Sequence, residues 1–152
     1  MESSLFPEVG DALRGIVPAD LGVLRLRAHR YGIKVWFGPE KATKEHYEAQ
    51  VVGARDVPAA RTLALEVGFH SEHSKPAAND EVIARIVAHE KQWRREVGTE
   101  AEVAPFLGRA ENWRRVSETW LDPDLTEPGL AFEIASRLVD YITAIEPLVH
   151  PG

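Results

Sequence analysis

Residues 24–37 read LRLRAHRYGIKVWF, and in both halves apolar and polar side chains take turns one by one. Successive side chains on a strand project to opposite sides, so this period of two marks strands with one oily face. Leu24, Leu26 and Ala28, then Ile33, Val35 and Phe37, point one way. Tyr31-Gly32 reads as the two-residue connection of a hairpin, because glycine tolerates the positive φ that a tight turn demands. In that register Ala28 faces Val35 and Arg27 faces Trp36.

The alternation recurs twice downstream. After a loop over 38–43 containing Gly38-Pro39, Tyr47, Ala49 and Val51 mark a third strand over 46–52. After a connection over 53–61 with Gly53 and Pro58, Leu63, Leu65, Val67 and Phe69 mark a fourth over 62–70. Asn112 to Leu121 fits either period, and its valine, threonine and two tryptophans favour a fifth strand, closed by Asp122-Pro123.

Helical spacing frames these strands. Leu5, Val9, Leu13 and Ile16 predict an opening helix capped by Ser3 or Ser4 and stopped by Pro18. Val82, Ile83, Ile86, Val87, Trp93 and Val97 form one stripe, with Asn79 as its cap and Gly98 as its end. Thr99 to Gly108 allows no more than a short helical turn, given Pro105 and Gly108. A last helix, capped near Thr126, carries Leu130, Ile134, Leu138, Tyr141, Ile142 and Ile145 before Pro147. The order predicts a single α+β domain over 1–152: a mostly antiparallel four- to five-stranded sheet, with the N-terminal helix and two long C-terminal-half helices on its apolar face.

Composition narrows the chemistry. There is no cysteine, which removes disulfides, thiolate metal ligands and cysteine nucleophiles. No stretch reaches the roughly 18 consecutive apolar residues of a membrane span, and Met1 to Val9 lack the basic start of a signal peptide, so a cytoplasmic protein with no membrane partner is expected. The basic residues are mostly arginine, which suggests a bacterial source. A net charge of −6 argues against nucleic acid as a partner.

The polar side of the sheet collects Arg25, Arg27, His29, Lys34, Trp36, His46, Glu48, Gln50, Glu66 and His70. From it follow two functional expectations. In the first, Arg25, Arg27, His29 and Trp36 bind a small acidic ligand or a protein partner, through bidentate hydrogen bonds and stacking, in a module that needs no cofactor and no metal. A cross-strand cation–π pair of Arg27 with Trp36 would account for those two residues without any ligand. In the second, His46, Glu48, Glu66 and His70 are the catalytic residues of a hydrolase, holding a metal or acting as acid and base, with Arg27 stabilising negative charge. A structural subunit with a solvated sheet face is the third expectation.

Other motifs point nowhere specific. His70-Ser71-Glu72-His73 lacks the turn that a serine nucleophile and its base would need, since strand neighbours face apart. Glycine at position 68 stands where a common nuclease motif has lysine, and Gly-x-x-x-x-Gly-Lys does not occur. Trp93, Trp113 and Trp120 fill a core or mark a homo-oligomer interface.

Overall fold

The computed structural model describes residues 4–151. Its elements are α1 (Leu5–Ile16), β1 (Leu24–His29), β2 (Gly32–Phe37), β3 (Glu45–Gly53), β4 (Leu63–Ser71), α2 (Pro76–Val87), α3 (Glu90–Val97), β5 (Glu102–Phe106), β6 (Arg109–Leu121) and α4 (Leu130–Val149). The six strands form one sheet in the order β1-β2-β3-β4-β6-β5, every neighbouring pair antiparallel. This is the α+β architecture that the alternation predicts, with β5 as a strand beyond the expected four or five.

The oily face and the helices share one core. Ile33, Val35, Tyr47, Ala49, Leu65, Val67, Phe69 and Val116 pack under Phe6, Val9 and Leu13 of α1 and Ile134, Leu138, Tyr141 and Ile142 of α4. Burying such side chains is worth about 1.5–3 kcal/mol each, which is why the period-two pattern dominates local preferences. No helix among the described residues is long and apolar enough to cross a membrane.

Several local expectations are corrected. The first hairpin turns at Arg30-Tyr31, so Ala28 pairs with Ile33, Arg27 with Lys34 and Arg25 with Trp36. Gly32 is needed for a different reason than its φ: a Cβ there would sit 2.9 Å from the Ala49 carbonyl oxygen on β3. The stripe from Val82 to Val97 is divided between α2 and α3 by a break at Ala88-His89. Asn79 is not a cap. It is buried inside α2, where its amide bonds the Ser71 hydroxyl, both backbone groups of His73 and the Asn112 carbonyl.

The segment read as a helical turn is strand β5. Pro105 is tolerated because β5 lies at the sheet edge, where a missing N–H costs no ladder bond on the open side. The last helix starts at Leu130 after Gly129 and runs past Pro147 to Val149, while the Thr126 hydroxyl bonds Asp124 instead. Asn112 to Leu121 is a strand, as expected, within the longer β6. Of the two proposed caps for α1, Ser3 lies outside the described residues, and Ser4 stands at the cap position with its hydroxyl on Glu8.

Candidate functional site

The second sheet face is polar in its centre and partly roofed. Val52 and Ala64 pack against Val57 and Ala60 of the loop before β4. A register irregularity between Pro105 and Phe106 lies where the β5–β6 hairpin bends. The Phe106 ring stands edge-on to His70 at 4.5 Å and to Trp113 at 5.2 Å. The sheet centre is therefore shut off from solvent: His46 is 1% exposed, and His70 and Glu66 are fully buried.

Strand register places the site residues. On the β3–β4 ladder His46 pairs with His70, Glu48 with Gly68 and Gln50 with Glu66, all side chains on the polar face. Gly68 leaves a gap in that row, and Ser117 of β6 fills it; a Cβ at Gly68 would meet Ser117 Cα at 2.6 Å and the Val116 carbonyl oxygen at 2.5 Å. The alternation continues one residue past β4, since Glu72 N donates to Lys44 O, and so the Glu72 carboxylate joins the same face.

Four side chains converge. His46 Nε2 lies 3.2 Å from Glu48 Oε1 and 3.2 Å from Glu72 Oε2. His70 Nδ1 lies 3.2 Å from Glu48 Oε1 and 3.4 Å from Glu72 Oε2. One ligand-type atom from each of the four falls within 4.8 Å of all the others. The opposite nitrogen of each ring is held by another acceptor: His46 Nδ1 faces the Thr43 carbonyl at 2.8 Å, and His70 Nε2 faces Glu66 Oε2 at 2.8 Å. Glu66 is itself fixed by the Ser117 hydroxyl at 2.6 Å and the Gln50 amide at 2.8 Å. Arg115 donates to the Ser117 oxygen from the other side.

Electrostatics follow from this packing. Burial disfavours a charged His70, but Glu66, Glu48 and Glu72 outweigh it and hold its pKa well above the usual imidazole value. His46 is raised by Glu48 and Glu72 against the same burial effect. Burial would lift the carboxylates, yet the two imidazoles keep Glu48 below its ordinary range and bring Glu72 to about 2, while His70, with the Ser117 hydroxyl and the Gln50 amide, holds Glu66 down. Every nitrogen of both rings faces an oxygen acceptor, an arrangement that favours the doubly protonated imidazolium.

The same geometry suits a cation. Metal–nitrogen and metal–oxygen bonds of 2.0–2.2 Å at tetrahedral angles separate neighbouring ligand atoms by about 3.3–3.6 Å. The four distances between the imidazole nitrogens and the two carboxylates, 3.2 to 3.4 Å, lie near that spacing, while the two remaining distances, imidazole to imidazole and carboxylate to carboxylate, fall within 4.8 Å. Imidazole and carboxylate ligands without thiolate suit zinc and the other divalent transition metals. The Glu66 carboxylate and the Thr43 carbonyl occupy the places of the outer partners that orient metal-binding histidines.

The four catalytic candidates read from the sequence, His46, Glu48, Glu66 and His70, thus come together in space. Glu72 completes the group. The tetrapeptide that contains it reads as a loop after the strand, and only the further run of the alternation marks it.

Of the ligand-binding candidates, Arg25, Arg27 and Trp36 lie together on β1 and β2, while His29 does not join them. Arg25 Nε donates to the Gly38 carbonyl and Trp36 Nε1 to the Pro39 carbonyl, both holding the loop after β2. Arg27 lies over the Trp36 ring at 5.6 Å, the cation–π pair foreseen, although the register makes it diagonal instead of directly cross-strand. His29 is exposed at the far end of edge strand β1, its Nδ1 accepting from Tyr31 N. It stands apart from His46 and His70.

No family model matches this chain, and neither a curated protein nor a solved structure does.

Proposed function

We propose that the protein is a ligand-binding domain built around one divalent metal ion, held by His46 Nε2, His70 Nδ1, Glu48 and Glu72 on the polar face of the sheet. The observation that carries this reading is the pairing of both rings. Each histidine turns one nitrogen toward the same small volume, shared with two carboxylate oxygens, and has the other nitrogen tied to an acceptor. Charge supports it as well: a divalent ion with two neutral imidazoles carries the same charge as no ion with two imidazolium rings.

A second reading, metal-dependent hydrolysis, is favoured by one further feature. The cleft outside the cluster is lined by His46 and Glu72 but not by Glu48. His46, His70 and Glu48 would then make the two-histidine, one-carboxylate set found at catalytic zinc, and Glu72, which also lines the cleft, would be left to act as a general base toward water.

The deciding experiment is titration of chelator-treated protein with Co2+, whose visible absorption reports coordination number. One equivalent bound at low coordination number, and lost in both His46→Ala and His70→Ala, is the expected result. Because these variants remove buried groups, Glu72→Gln serves as a milder one and lowers affinity while the fold survives. Co2+ binding unaltered in all three variants, or no binding by the wild-type chain, overturns the proposal. Hydrolysis is checked separately with a panel of carboxylic and phosphoric ester substrates on the metal-loaded protein.

A further inference from the structure

The cleft that opens beside the cluster has a volume of about 300 Å³, and its wall is cationic in a chain whose net charge is −6. Arg27, Lys34, Lys41 and Lys44 line it against a single carboxylate, that of Glu72, with Trp113 as the flat apolar side. Lys34 Nζ lies 3.8 Å from Glu72 Oε1, a loose pairing. Among the described residues neither Lys41 nor Lys44 has an acidic partner, and Arg27 makes only its contact with the Trp36 ring. Cationic side chains gathered in a concave, partly low-dielectric site concentrate anions there.

Location adds to charge. His46 and Glu72 belong both to the cluster and to the cleft wall, so a group bound among the lysines reaches the place where the ion would sit. Glu48 and Glu72 would together cancel the charge of a divalent ion, so the positive charge left for an oxyanion to balance is that of Arg27 and the three lysines. The volume exceeds that of the oxyanion alone and leaves room for the body of a small molecule beside Trp113.

We infer that this cleft is the binding site for the oxyanion group of a small molecule, a phosphoryl or carboxylate group held by Lys34, Lys41, Lys44 and Arg27 and anchored at the metal centre. The inference rests on the metal-centre reading for that last anchor, and the test separates the two.

The Co2+-loaded protein is titrated with inorganic phosphate and, in a second arm, with succinate, following heat and visible absorption. Phosphate binding that perturbs the Co2+ spectrum, and that weakens at least tenfold in the Lys41→Ala/Lys44→Ala double variant with Co2+ affinity unchanged, is expected. Lys91→Ala, an exposed lysine on α3, serves as the control and changes neither quantity. The arm with the tighter and more salt-sensitive binding identifies phosphoryl or carboxylate as the native group. A protein that takes up one Co2+ but shows neither heat nor spectral change with either anion overturns the anion site and leaves the metal centre standing. A protein that takes up no Co2+ removes the metal centre; with it falls the proposed anchor, whatever the anions do.

Discussion

His46 and His70 pair directly across β3 and β4, with ring centroids 5.9 Å apart and planes inclined at 72°. The inclination lets the two rings present one nitrogen each to the same pair of carboxylates, and it depends on what holds their far sides. For His70 that holder is Glu66. Glu66→Gln keeps the shape but replaces the carboxylate by an amide that no longer fixes the tautomer, so metal affinity is expected to fall by about 10–100-fold. Competition against a coloured chelator measures it. Without metal the variant loses a buried charge partner, at a cost of about 3–5 kcal/mol in denaturant unfolding. An unchanged metal affinity would remove Glu66 as a positioning residue.

Metal uptake should expel protons. Every ring nitrogen of His46 and His70 faces an oxygen acceptor, which favours double protonation of both rings when no ion is present. Ligation needs neutral imidazole, and each ring must give up one proton per ion bound. Calorimetric titration near neutral pH in buffers of different ionisation enthalpy reads this directly as a slope close to two. A slope near zero would show that the ion is bound elsewhere.

What the sequence tells of this site, and what it conceals, has a physical basis. Alternation assigns a face but not a position along the strand, so His29 belongs to the polar face and yet lies at the end of an edge strand, away from β4. Register comes from the whole ladder of backbone bonds, and it is the ladder that sets His46 opposite His70. Gly32 misled the hairpin because a missing Cβ serves two ends, a positive φ or a close neighbour, and here the neighbour is the Ala49 carbonyl. Pro105 concealed β5, since proline speaks against a strand only where both edges are paired. Glu72 lay hidden because its polar neighbours look like the end of the strand, although Lys44 O extends the pairing to it.

Gly68→Ala tests the close approach that makes room for Ser117. The added Cβ would fall 2.5 Å from the Val116 carbonyl oxygen and 2.6 Å from Ser117 Cα, both backbone, at a φ of 154° that side chains rarely adopt. Neither β4 nor β6 can move aside, because each is paired on both edges. Backbone strain and overpacking together should cost roughly 2–5 kcal/mol in denaturant unfolding. The same change displaces the Ser117 hydroxyl from Glu66, so metal affinity falls with stability. A loss below about 1 kcal/mol would mean that the two strands separate more easily than this packing implies.

A pH-dependent clasp ties the end of α4 to β3. His150 Nδ1 lies 3.0 Å from Glu146 Oε2 and its Nε2 lies 2.9 Å from Glu45 Oε1, while the Tyr47 hydroxyl donates to Glu146 Oε1. Glu146 and Glu45 outweigh partial burial and raise the His150 pKa from 6.5 to about 9. Chiefly through His150, and with help from His73, the Glu45 carboxyl is lowered from 4.5 to about 2. A raised base pKa gives stability that is complete below the unfolded value of 6.5 and is lost as pH climbs through 9; a lowered acid pKa gives stability that is complete above 4.5 and is lost as pH falls toward 2. The clasp therefore contributes most between pH 4.5 and 6.5. Subtracting the thermal midpoints of His150→Ala from those of the wild type, pH by pH with chelator present, isolates it from the titration of His46 and His70. The difference should be greatest in that window, shrink toward zero by pH 9 to 10, and diminish in high salt because His150 is partly exposed. A difference that stays constant across this range would show that His150 acts by packing and not by charge.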